Sequence, residues 1–398
     1  MAAGNAAATL RDEGYDGRVV ILGREPTVPF GRPPLSKTYL RSEEDLTDWY
    51  VRPPEWYEQH DVDLRMDDPV ARVGGERVTT SSGETVGFDR LLIATGVRNR
   101  RLDVPGADLD GVFSLRTQAD CDRIKAAVGP GDRVAIIGMG FIGCEVAASL
   151  VTMGADVTAL FPGSGPLDSV LGDDVAGVLA AIHTDHGVEL LRGEHVAALE
   201  GSGRVEAART ASGRRLECTA AVVAVGVQPN VEFLDGSGVA VDNGVLVDEL
   251  CRTSVDGVFA CGDVANMAHP LFGRLRVEHY NNAEKHGRAA ARSMLGRGKP
   301  YDYMFTFWSD QYEHSLEYVG IAGEFDRFIV RGSLEERAFV GLYLKDDVPK
   351  AAVGLGRGGD PELEPESEMA AAAALIRAGV TVDVAAFADD DVDLRSLV

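Results

Sequence analysis

The chain has 398 residues, of which 45% are hydrophobic, so it is long enough for two or three domains that each bury a core. It contains no apolar run long enough to span a bilayer and no signal-peptide pattern, so we predict neither a membrane span nor secretion and expect a cytoplasmic protein. Acidic residues outnumber basic ones by 63 to 39, and the formal net charge of -24 disfavours binding to nucleic acid or to anionic membranes.

Strands and helices alternate from the start of the chain to about residue 320, a pattern typical of doubly wound parallel sheets. We predict a helix over residues 2–13, a strand over residues 18–22, and a strand over residues 91–96 that ends in a glycine turn. A loop follows at residues 103–108, and a new domain is expected to open near residue 117.

The most informative motif lies at residues 134–143, where four apolar strand residues lead into a complete Gly-x-Gly-x-x-Gly turn. Gly138 allows a tight turn from strand to helix, Gly140 lets a pyrophosphate approach the backbone, and Gly143 lets the following helix pack closely on the strand. The helix N-terminus then faces the phosphates. The motif therefore predicts a binding site for a dinucleotide.

The next strand, predicted over residues 156–160, bears on the choice of dinucleotide. At its end an acid normally holds the ribose 2′-hydroxyl of NAD, while a nearby arginine favours the 2′-phosphate of NADP. Phe161 occupies this position, and neither charge follows it directly. NADH and NADPH therefore both stay open, and the lack of a local cation favours NADH.

Two further apolar strands, over residues 220–225 and 257–263, each run into a turn that contains glycine. Beyond about residue 323 the pattern changes to short strands at residues 328–330 and 338–343, followed by a helix at residues 368–378. This change predicts a small α+β module after the nucleotide-binding region.

The chemistry of cysteine and histidine is restricted by spacing. Five cysteines occur without a Cys-x-x-Cys pair, so we expect buried free thiols. His183 and His186 are three residues apart on a predicted helix but lack the further ligands of a zinc site, and we predict no metal centre.

Several strings occur in the order found in a known family: RPPLSK, LLIATG, LRT, GMGFIGCE, VGVQPN, RTS followed by VFACGD, VEHYNNAEKHG and FWSDQY. Over nearly its whole length the chain resembles the flavin-dependent ferredoxin and rubredoxin reductases, including the reductase components of bacterial oxygenases and proteins related to apoptosis-inducing factor. The resemblance implies an α/β fold with two Rossmann-like nucleotide-binding domains and a small C-terminal α+β domain. The FAD domain would comprise residues 1–116 and 247–322, the NAD(P) domain residues 117–246, and the C-terminal domain residues 323–398.

The resemblance also assigns roles to individual residues. Lys37 would lie beside the flavin ring, where a cation stabilises negative charge on the reduced flavin, and Glu145 would pair with Lys37 near the nicotinamide. The alternative is that Glu145 is an exposed acid in the first turn of its helix. Asp263 would accept hydrogen bonds from the ribityl chain, and Tyr280 and Trp308 would lie near the flavin ring. The other predicted cofactor-binding residues are Glu25, Arg32, Val70, Thr95, Gly96, Arg116, Gly138, Gly140, Gly143 and Gly226.

The chain departs from the family in its first residues. Family members begin with a strand and a glycine turn that grip the FAD pyrophosphate, whereas residues 1–7 here correspond to the helix after that turn. Loss of a central strand would leave backbone groups unpaired and apolar neighbours uncovered. We therefore expect a misassigned start codon or an artificially trimmed sequence rather than a natural truncation, with poor FAD affinity if the sequence is complete. Arg24 also stands where an acid often contacts the adenosine ribose, and Glu25 is expected to supply that contact.

The expected reaction is hydride transfer from NAD(P)H to FAD, followed by single-electron transfer to a small iron–sulfur carrier such as ferredoxin or rubredoxin, serving an oxygenase. The segment from Lys37 to His60 contains no cysteine, which argues against the thiol chemistry of related disulphide reductases. Two alternatives stay open: a dehydrogenase of the apoptosis-inducing-factor type that reduces quinone or oxygen, and a flavin-free NAD-binding or scaffold protein. The sequence leaves open whether the protein is a monomer or a homodimer.

Overall fold

The computed structural model describes residues 1–397 and divides them into two compact units. Unit 1 consists of Met1–Pro33, Asp45–Arg98 and Val227–Tyr303. Unit 2 consists of Pro34–Glu44, Asn99–Gly226 and the segment from Met304 to the end of the described chain.

The helices predicted from the sequence are present among those of the described residues. The described helices are α1 (Ala2–Asp12), α2 (Pro54–Gln59), α3 (Gln118–Ala127), α4 (Phe141–Thr152), α5 (Asp168–Asp185), α6 (Tyr280–Met294), α7 (Glu368–Ala378) and α8 (Val384–Ala388). The predicted helices over residues 2–13 and 368–378 are thus confirmed.

The strands are short and numerous. They are β1 (Val19–Leu22), β2 (Val62–Arg65), β3 (Val70–Gly74), β4 (Arg77–Thr80), β5 (Thr85–Gly87), β6 (Leu91–Ile93), β7 (Val97–Asn99), β8 (Val112–Phe113), β9 (Arg133–Ile137), β10 (Asp156–Phe161), β11 (Glu189–Arg192), β12 (Val196–Glu200), β13 (Ala207–Thr210), β14 (Arg215–Glu217), β15 (Ala220–Val223), β16 (Val227–Pro229), β17 (Val245–Val247), β18 (Val258–Ala260), β19 (Ala265–His269), β20 (Gly273–Arg276), β21 (Thr306–Gln311), β22 (His314–Gly320), β23 (Arg327–Ser333), β24 (Ala338–Lys345) and β25 (Val348–Leu355).

The parallel strand pairs of unit 1 include β1 with β2, β6 with β18, and β17 with β19. Helix α1 packs so closely on α6 that a Cβ atom at Gly287 would collide with the backbone oxygen of Ala2. Val19 and Ile21 of β1 are buried in the same core as Leu10 of α1. Within residues 1–397 no strand joins the β1–β2 pair to the β6–β18 pair, and the expected family strand before residue 1 stays a prediction.

The sheet of unit 2 that leads into the glycine turn is parallel, with strand order β11-β10-β9-β15-β8. Its central strands are apolar on both faces, as parallel strands covered by helices must be, and Ile136, Ala159 and Val222 are fully buried. Strand β8 belongs to this sheet although it precedes residue 117, where the NAD(P) domain was predicted to begin. The predicted α/β class is confirmed by these parallel ladders.

The last part of unit 2 is a five-stranded antiparallel sheet with strand order β21-β22-β25-β24-β23. The sheet begins at Thr306, so β21 and β22 lie within residues that were assigned to the FAD domain. The reason is the ladder between β22 and β25, in which Leu316 pairs with Leu355, a contact between distant segments that local sequence does not reveal. The predicted α+β module is present, and its assignment as a separate domain stays a prediction.

One buried arginine organises the final segment of the chain. The side chain of Arg331 on β23 is 5% exposed and donates hydrogen bonds to the carboxylate of Glu368. It also donates to the backbone carbonyls of Phe387, Asp389, Asp390 and Val392. These carbonyls lie in α8 and the turn after it, so the guanidinium holds the segment against the sheet.

We predict that Arg331→Leu lowers the free energy of unfolding by about 3 kcal/mol, because it leaves four carbonyls and a carboxylate without their buried donor. Urea unfolding followed by circular dichroism measures the change. The control is Arg395→Leu, since Arg395 is 48% exposed in its ion pair with Glu366 and should contribute less than about 1 kcal/mol. Equal losses in the two variants would contradict the assigned role of Arg331.

Candidate nucleotide and redox sites

The glycine turn of unit 2 has the geometry of a phosphate cradle. Gly138 has a φ of +97°, and a Cβ atom there would lie 2.5 Å from the backbone oxygen of Ala224. A Cβ atom at Gly143 would collide with the backbone oxygen of Gly138, whereas a Cβ atom at Gly140 would meet nothing within 4 Å. Gly140 is exposed and is the N-cap of α4. The cradle is therefore closed where helix and strand pack and open where a pyrophosphate would approach.

The open end of the cradle coincides with the carboxyl edge of the parallel sheet. The amide of Gly138 donates to the carbonyl of Leu160, and the amide of Ala224 donates to the carbonyl of Ile137. Gly226 follows on the same edge with a φ of +90°. The structure thus brings Gly138, Gly140, Gly143 and Gly226 together, at the place where doubly wound sheets bind nucleotides.

The residues after β10 differ from the usual ribose contact. Phe161 is 3% exposed, and the carboxylate of Asp168 beyond it accepts hydrogen bonds from the amides of Ser164 and Ser169, both at 2.7 Å. No cation follows Phe161 locally in the sequence, but the parallel register pairs it with Arg192 on β11, whose side chain is exposed. Arg192 is therefore a cation near this position that the sequence around Phe161 does not reveal.

Lys37 and Glu145 form a buried ion pair in unit 2. The Nζ of Lys37 lies 2.9 Å from Oε2 of Glu145, and the two side chains are 10% and 5% exposed. The hydroxyl of Ser36 donates to the same carboxylate oxygen, and the hydroxyl of Ser309 donates to Oε1 at 2.8 Å. A buried ion pair is favourable only when its other hydrogen-bonding positions are satisfied, and the hydroxyls of Ser36 and Ser309 do this for the carboxylate.

The pairing of Glu145 with Lys37 therefore has the geometry that the resemblance implied. The alternative of an exposed acid in the first turn is wrong, because Glu145 is the fifth residue of α4 and its side chain points into the protein. Ser36 and Ser309 were not predicted. Ser36 is next to Lys37, but Ser309 is 164 residues away from Glu145 in sequence.

Trp308 lies on β21, a strand that contacts the start of α4 through a neighbouring residue. The ring of its neighbour Phe307 packs edge-to-face on Phe141, the first residue of α4, at 4.6 Å between ring centroids. Trp308 pairs across the ladder with Glu317 of β22. Burial, reinforced by the negative charge of Asp360, raises the pKa of Glu317 to about 7. Glu317 is a titratable neighbour of Trp308 that sequence reasoning missed.

In unit 1, Glu25 and Arg32 form an ion pair at 2.5 Å. Together with Asp263 they are the charged neighbours of the amino group of Met1, so these three predicted residues lie in one region. Asp263 is in a 3-10 turn directly after β18, and the amide of Gly262 in this turn donates to Nδ1 of His286 at 3.2 Å. The Glu25 carboxylate therefore has Arg32 as a partner, in addition to the predicted contact with the adenosine ribose.

Gly96 and Gly262 follow the paired strands β6 and β18, whose register joins Ile93 to Ala260. Both glycines have positive φ, at +61° and +70°, so each strand ends in a turn that glycine favours. Because the carboxyl ends of parallel strands bind nucleotides in sheets of this type, the residues present fit a dinucleotide such as FAD. Thr95 is held at this edge by Asn230, which accepts its hydroxyl hydrogen bond and donates to its carbonyl, each at 2.9 Å.

The last three predicted cofactor-binding residues are Tyr280, Val70 and Arg116. The ring of Tyr280, at the start of α6, packs edge-to-face on Trp49 with 5.9 Å between centroids. Val70 begins β3 opposite Thr80. Arg116 belongs to unit 2, unlike the other residues predicted to contact the FAD adenosine and phosphates, and lies directly before the N-cap of α3.

All five cysteines are buried and unpaired, as predicted. Burial raises the pKa of Cys121 and Cys261 to about 12 and that of Cys218 to about 11, and it raises the pKa of Cys144 and Cys251 as well. The nucleophilic form of cysteine is the thiolate, which these environments suppress at neutral pH. The sites described above therefore have no reactive thiol to relay electrons.

Two other kinds of feature are absent from residues 1–397. No helix in this range is both long and apolar enough to cross a membrane. No group of three or more histidine, cysteine, aspartate or glutamate side chains there is arranged to hold a metal ion.

Comparison with known proteins gives consistent matches. Residues 1–287 match the model of the pyridine nucleotide-disulphide oxidoreductase family, and residues 306–398 match the reductase C-terminal domain. Rhodocoxin reductase of Rhodococcus erythropolis is 36% identical over 340 residues, which are 84% of this chain and 79% of that protein. The ferredoxin–NAD(+) reductase component of the biphenyl dioxygenase system of Paraburkholderia xenovorans is 32% identical over 406 residues, covering 100% of this chain and 96% of that protein. In the crystal structure of a covalent putidaredoxin reductase–putidaredoxin complex, the matched chain has a TM-score of 0.93 at 30% identity, with coverage of 100% and 95%.

We predict that Glu317→Gln stabilises the protein more at pH 8 than at pH 5. The pKa of Glu317 is raised to about 7 in the fold from an ordinary value of 4.5, so the folded state holds the proton more tightly than the unfolded state. Its contribution to stability is complete below about pH 4.5 and is lost as the pH rises through 7. Because the carboxyl group is partly exposed, the difference between the two pH values should be about 1 kcal/mol.

Urea unfolding of the Glu317→Gln variant and the unaltered protein at both pH values measures this difference. Glu335→Gln, which replaces an exposed glutamate in the same sheet region, is the control and should show no such dependence. A gain for Glu317→Gln that is the same at pH 5 and pH 8 would contradict the raised pKa.

Proposed function

The chain belongs to the pyridine nucleotide-disulphide oxidoreductase family, and from this premise we propose that it is an FAD-dependent reductase that passes electrons from NADH through FAD to a small iron–sulfur carrier protein. The observation that carries the proposal is the buried ion pair of Lys37 and Glu145, in the same unit as the dinucleotide cradle. The five suppressed thiols support direct transfer rather than a disulfide relay. A cytoplasmic location is part of the proposal, and fractionation of the host cells tests it.

Each cofactor has its own proposed residues. FAD would be held by Glu25, Arg32, Val70, Thr95, Gly96, Asp263 and Tyr280 of unit 1. The roles of Arg116 and Trp308 stay predictions of the family resemblance. The nicotinamide dinucleotide would be held by Gly138, Gly140, Gly143 and Gly226. NADH is proposed because relatives such as the biphenyl dioxygenase component are named as NAD(+) reductases. Arg192 beside Phe161 makes a comparison of NADH with NADPH a necessary control.

When bound, FAD supplies the conversion of a two-electron donor into single-electron steps. The ammonium group of Lys37 would stabilise negative charge that develops next to it, at a fixed position and without reorganisation of water. Glu145 would hold that ammonium group in place and orient the nicotinamide. Neither residue has to act as a general base in this scheme.

The proposed carrier requires a docking surface, and α6 with the residues after it is suitable. Residues 280–299 contain five basic side chains and one acidic side chain, in a chain whose net charge is -24. Lys285, Arg288 and Arg292 lie at helical spacing on α6, and the latter two are 42% and 50% exposed. Glu284 pairs with Arg288, and Glu13 pairs with Arg292 and Arg297, so five basic side chains face two acidic ones here. The remaining positive charge steers the encounter with an acidic carrier despite the overall charge. We propose this stripe, residues 285, 288, 292, 297 and 299, as the carrier-docking surface.

A first test is the absorbance spectrum of the purified protein reconstituted with FAD, before and after anaerobic addition of NADH. Flavin bands that bleach with NADH and recover on addition of a [2Fe–2S] ferredoxin are the expected result. Recovery only with quinone or oxygen would favour a dehydrogenase of the apoptosis-inducing-factor type, and a protein that retains no flavin would favour the NAD-binding or scaffold alternative.

We predict that Lys37→Ala slows flavin reduction by NADH in the FAD-loaded protein by about 10²-fold, since one preorganised electrostatic contact is removed. Glu145→Ala should mainly weaken NADH binding. Stopped-flow absorbance over a range of NADH concentrations separates the two effects. The control is Lys345→Ala, because Lys345 is 42% exposed near Asp326. Reduction kinetics that are unchanged in both site variants would remove the pair from the mechanism.

We predict that the double variant Lys285→Glu, Arg288→Glu slows electron transfer to a [2Fe–2S] ferredoxin by about tenfold or more at low salt, with ferricyanide reduction unchanged. The matched control is Arg72→Glu, Arg77→Glu, which reverses two exposed charges elsewhere in unit 1. The reduction of ferredoxin in both double variants is followed by absorbance at several salt concentrations. Equal loss in the two double variants would show a general effect of charge and would reject the docking surface.

A further inference from the structure

A line of buried polar side chains leads from Glu145 to a turn of the C-terminal sheet, entirely within unit 2. Ser309 contacts Glu145 at 2.8 Å, Gln311 contacts Ser309 at 3.2 Å, His183 contacts Gln311 at 3.0 Å and Tyr312 contacts His183 at 3.1 Å. Ser309, Gln311 and His183 are 1%, 2% and 0% exposed. The reaction proposed above does not use these side chains directly, so their arrangement calls for another explanation.

The chemistry of each group gives all the hydrogen bonds one direction. An ionised Glu145 can only accept, so the Ser309 hydroxyl donates to it and accepts from the amide nitrogen of Gln311. The amide oxygen of Gln311 must then accept from Nε2–H of His183, whose Nδ1 accepts from the hydroxyl of Tyr312. Burial lowers the pKa of His183 to about 4, so its ring is neutral near pH 7 and carries the single N–H that this order requires.

Such a chain is polarised along its length toward the carboxylate. Each donor strengthens the next when all bonds point the same way, and the low local dielectric increases the effect. Ser309 is the donor to Oε1 of Glu145, whereas Lys37 and Ser36 contact Oε2. The line of hydrogen-bonded side chains therefore fixes the rotation of the Glu145 carboxylate that holds Lys37.

The Tyr312 end of this hydrogen-bonded line lies in a strained turn, and its ring stacks on a histidine. Tyr312 has a φ of +57° in the tight turn between β21 and β22, a conformation that a large side chain adopts only when contacts enforce it. Its ring stacks on His186 with 3.7 Å between centroids and an interplanar angle of 10°. The turn is thus anchored on α5, and the chain joins α4, α5 and the β21–β22 hairpin.

We propose that Ser309, Gln311 and His183 are positioning residues that hold the Glu145 carboxylate, and through it the Lys37 ammonium group, in one orientation. The catalytic consequence rests on the function proposed above, but the positioning itself can be tested without any cofactor. Loss of the Ser309 or Gln311 donor should let the carboxylate rotate and expose the Lys37 ammonium group to water.

The test is ¹⁵N NMR of the lysine ammonium groups in the cofactor-free protein. The chain has only six lysines, so Lys37 can be assigned from the spectrum of Lys37→Arg. Hydrogen exchange of the Lys37 ammonium group should accelerate by about tenfold in Ser309→Ala and in Gln311→Met, as expected for loss of a hydrogen bond to a charged group. Ser309→Thr, which retains the hydroxyl, should restore slow exchange.

The control is Tyr343→Phe, which removes a buried hydroxyl that donates to the carbonyl of Leu171, in the same sheet but outside the chain. This variant should leave Lys37 exchange unchanged even if it unfolds at lower urea. Folded Ser309→Ala and Gln311→Met proteins with unchanged Lys37 exchange, or a control that exchanges as fast as they do, would overturn the proposal. If Lys37 exchange accelerates in these variants while the unaltered protein shows no NADH-dependent flavin reduction, the positioning role stands and the proposed function is rejected.

Discussion

The buried ion pair of Lys37 and Glu145 is the interaction on which the arrangement of unit 2 depends. Two charges with little access to water are tolerated only if every remaining lone pair and proton finds a partner. That requirement draws in Ser36 from the same segment as Lys37 and Ser309 from the C-terminal sheet. The helix that begins at the glycine cradle is therefore held at its first turns by contacts from two distant parts of the chain.

The dinucleotide cradle shows how far local sequence can determine a site. Gly138 and Gly143 are specified by backbone collisions that any side chain would cause, so the motif and its structure correspond residue by residue. The pairing of Lys37 with Glu145 was accessible through the family resemblance, which supplied the long-range contact that spacing alone does not. Strands and helices were predictable because apolar runs and turn glycines mark their ends.

Other features depend on register between distant strands and could not be read from neighbouring residues. Arg192 is beside Phe161 only because β11 pairs in parallel with β10, and Glu317 is opposite Trp308 only because of the β21–β22 ladder. The start of the C-terminal sheet at Thr306 has the same origin, since β22 is joined to β25 across more than thirty residues. This limit is clearest for the hydrogen-bonded line of Ser309, Gln311 and His183, because the sequence around each of them does not predict a connection to Glu145.

The burial of all five cysteines has a consequence for the conditions in which this protein can work. Family members that relay electrons through a dithiol must have that dithiol reduced again in every cycle and are open to alkylation and peroxide. Here burial suppresses every thiolate, and the proposed electron path passes through no sulfur of the protein itself. Turnover of the proposed reaction would therefore not depend on the cellular thiol buffer, and no thiolate of the protein would be open to attack by peroxide.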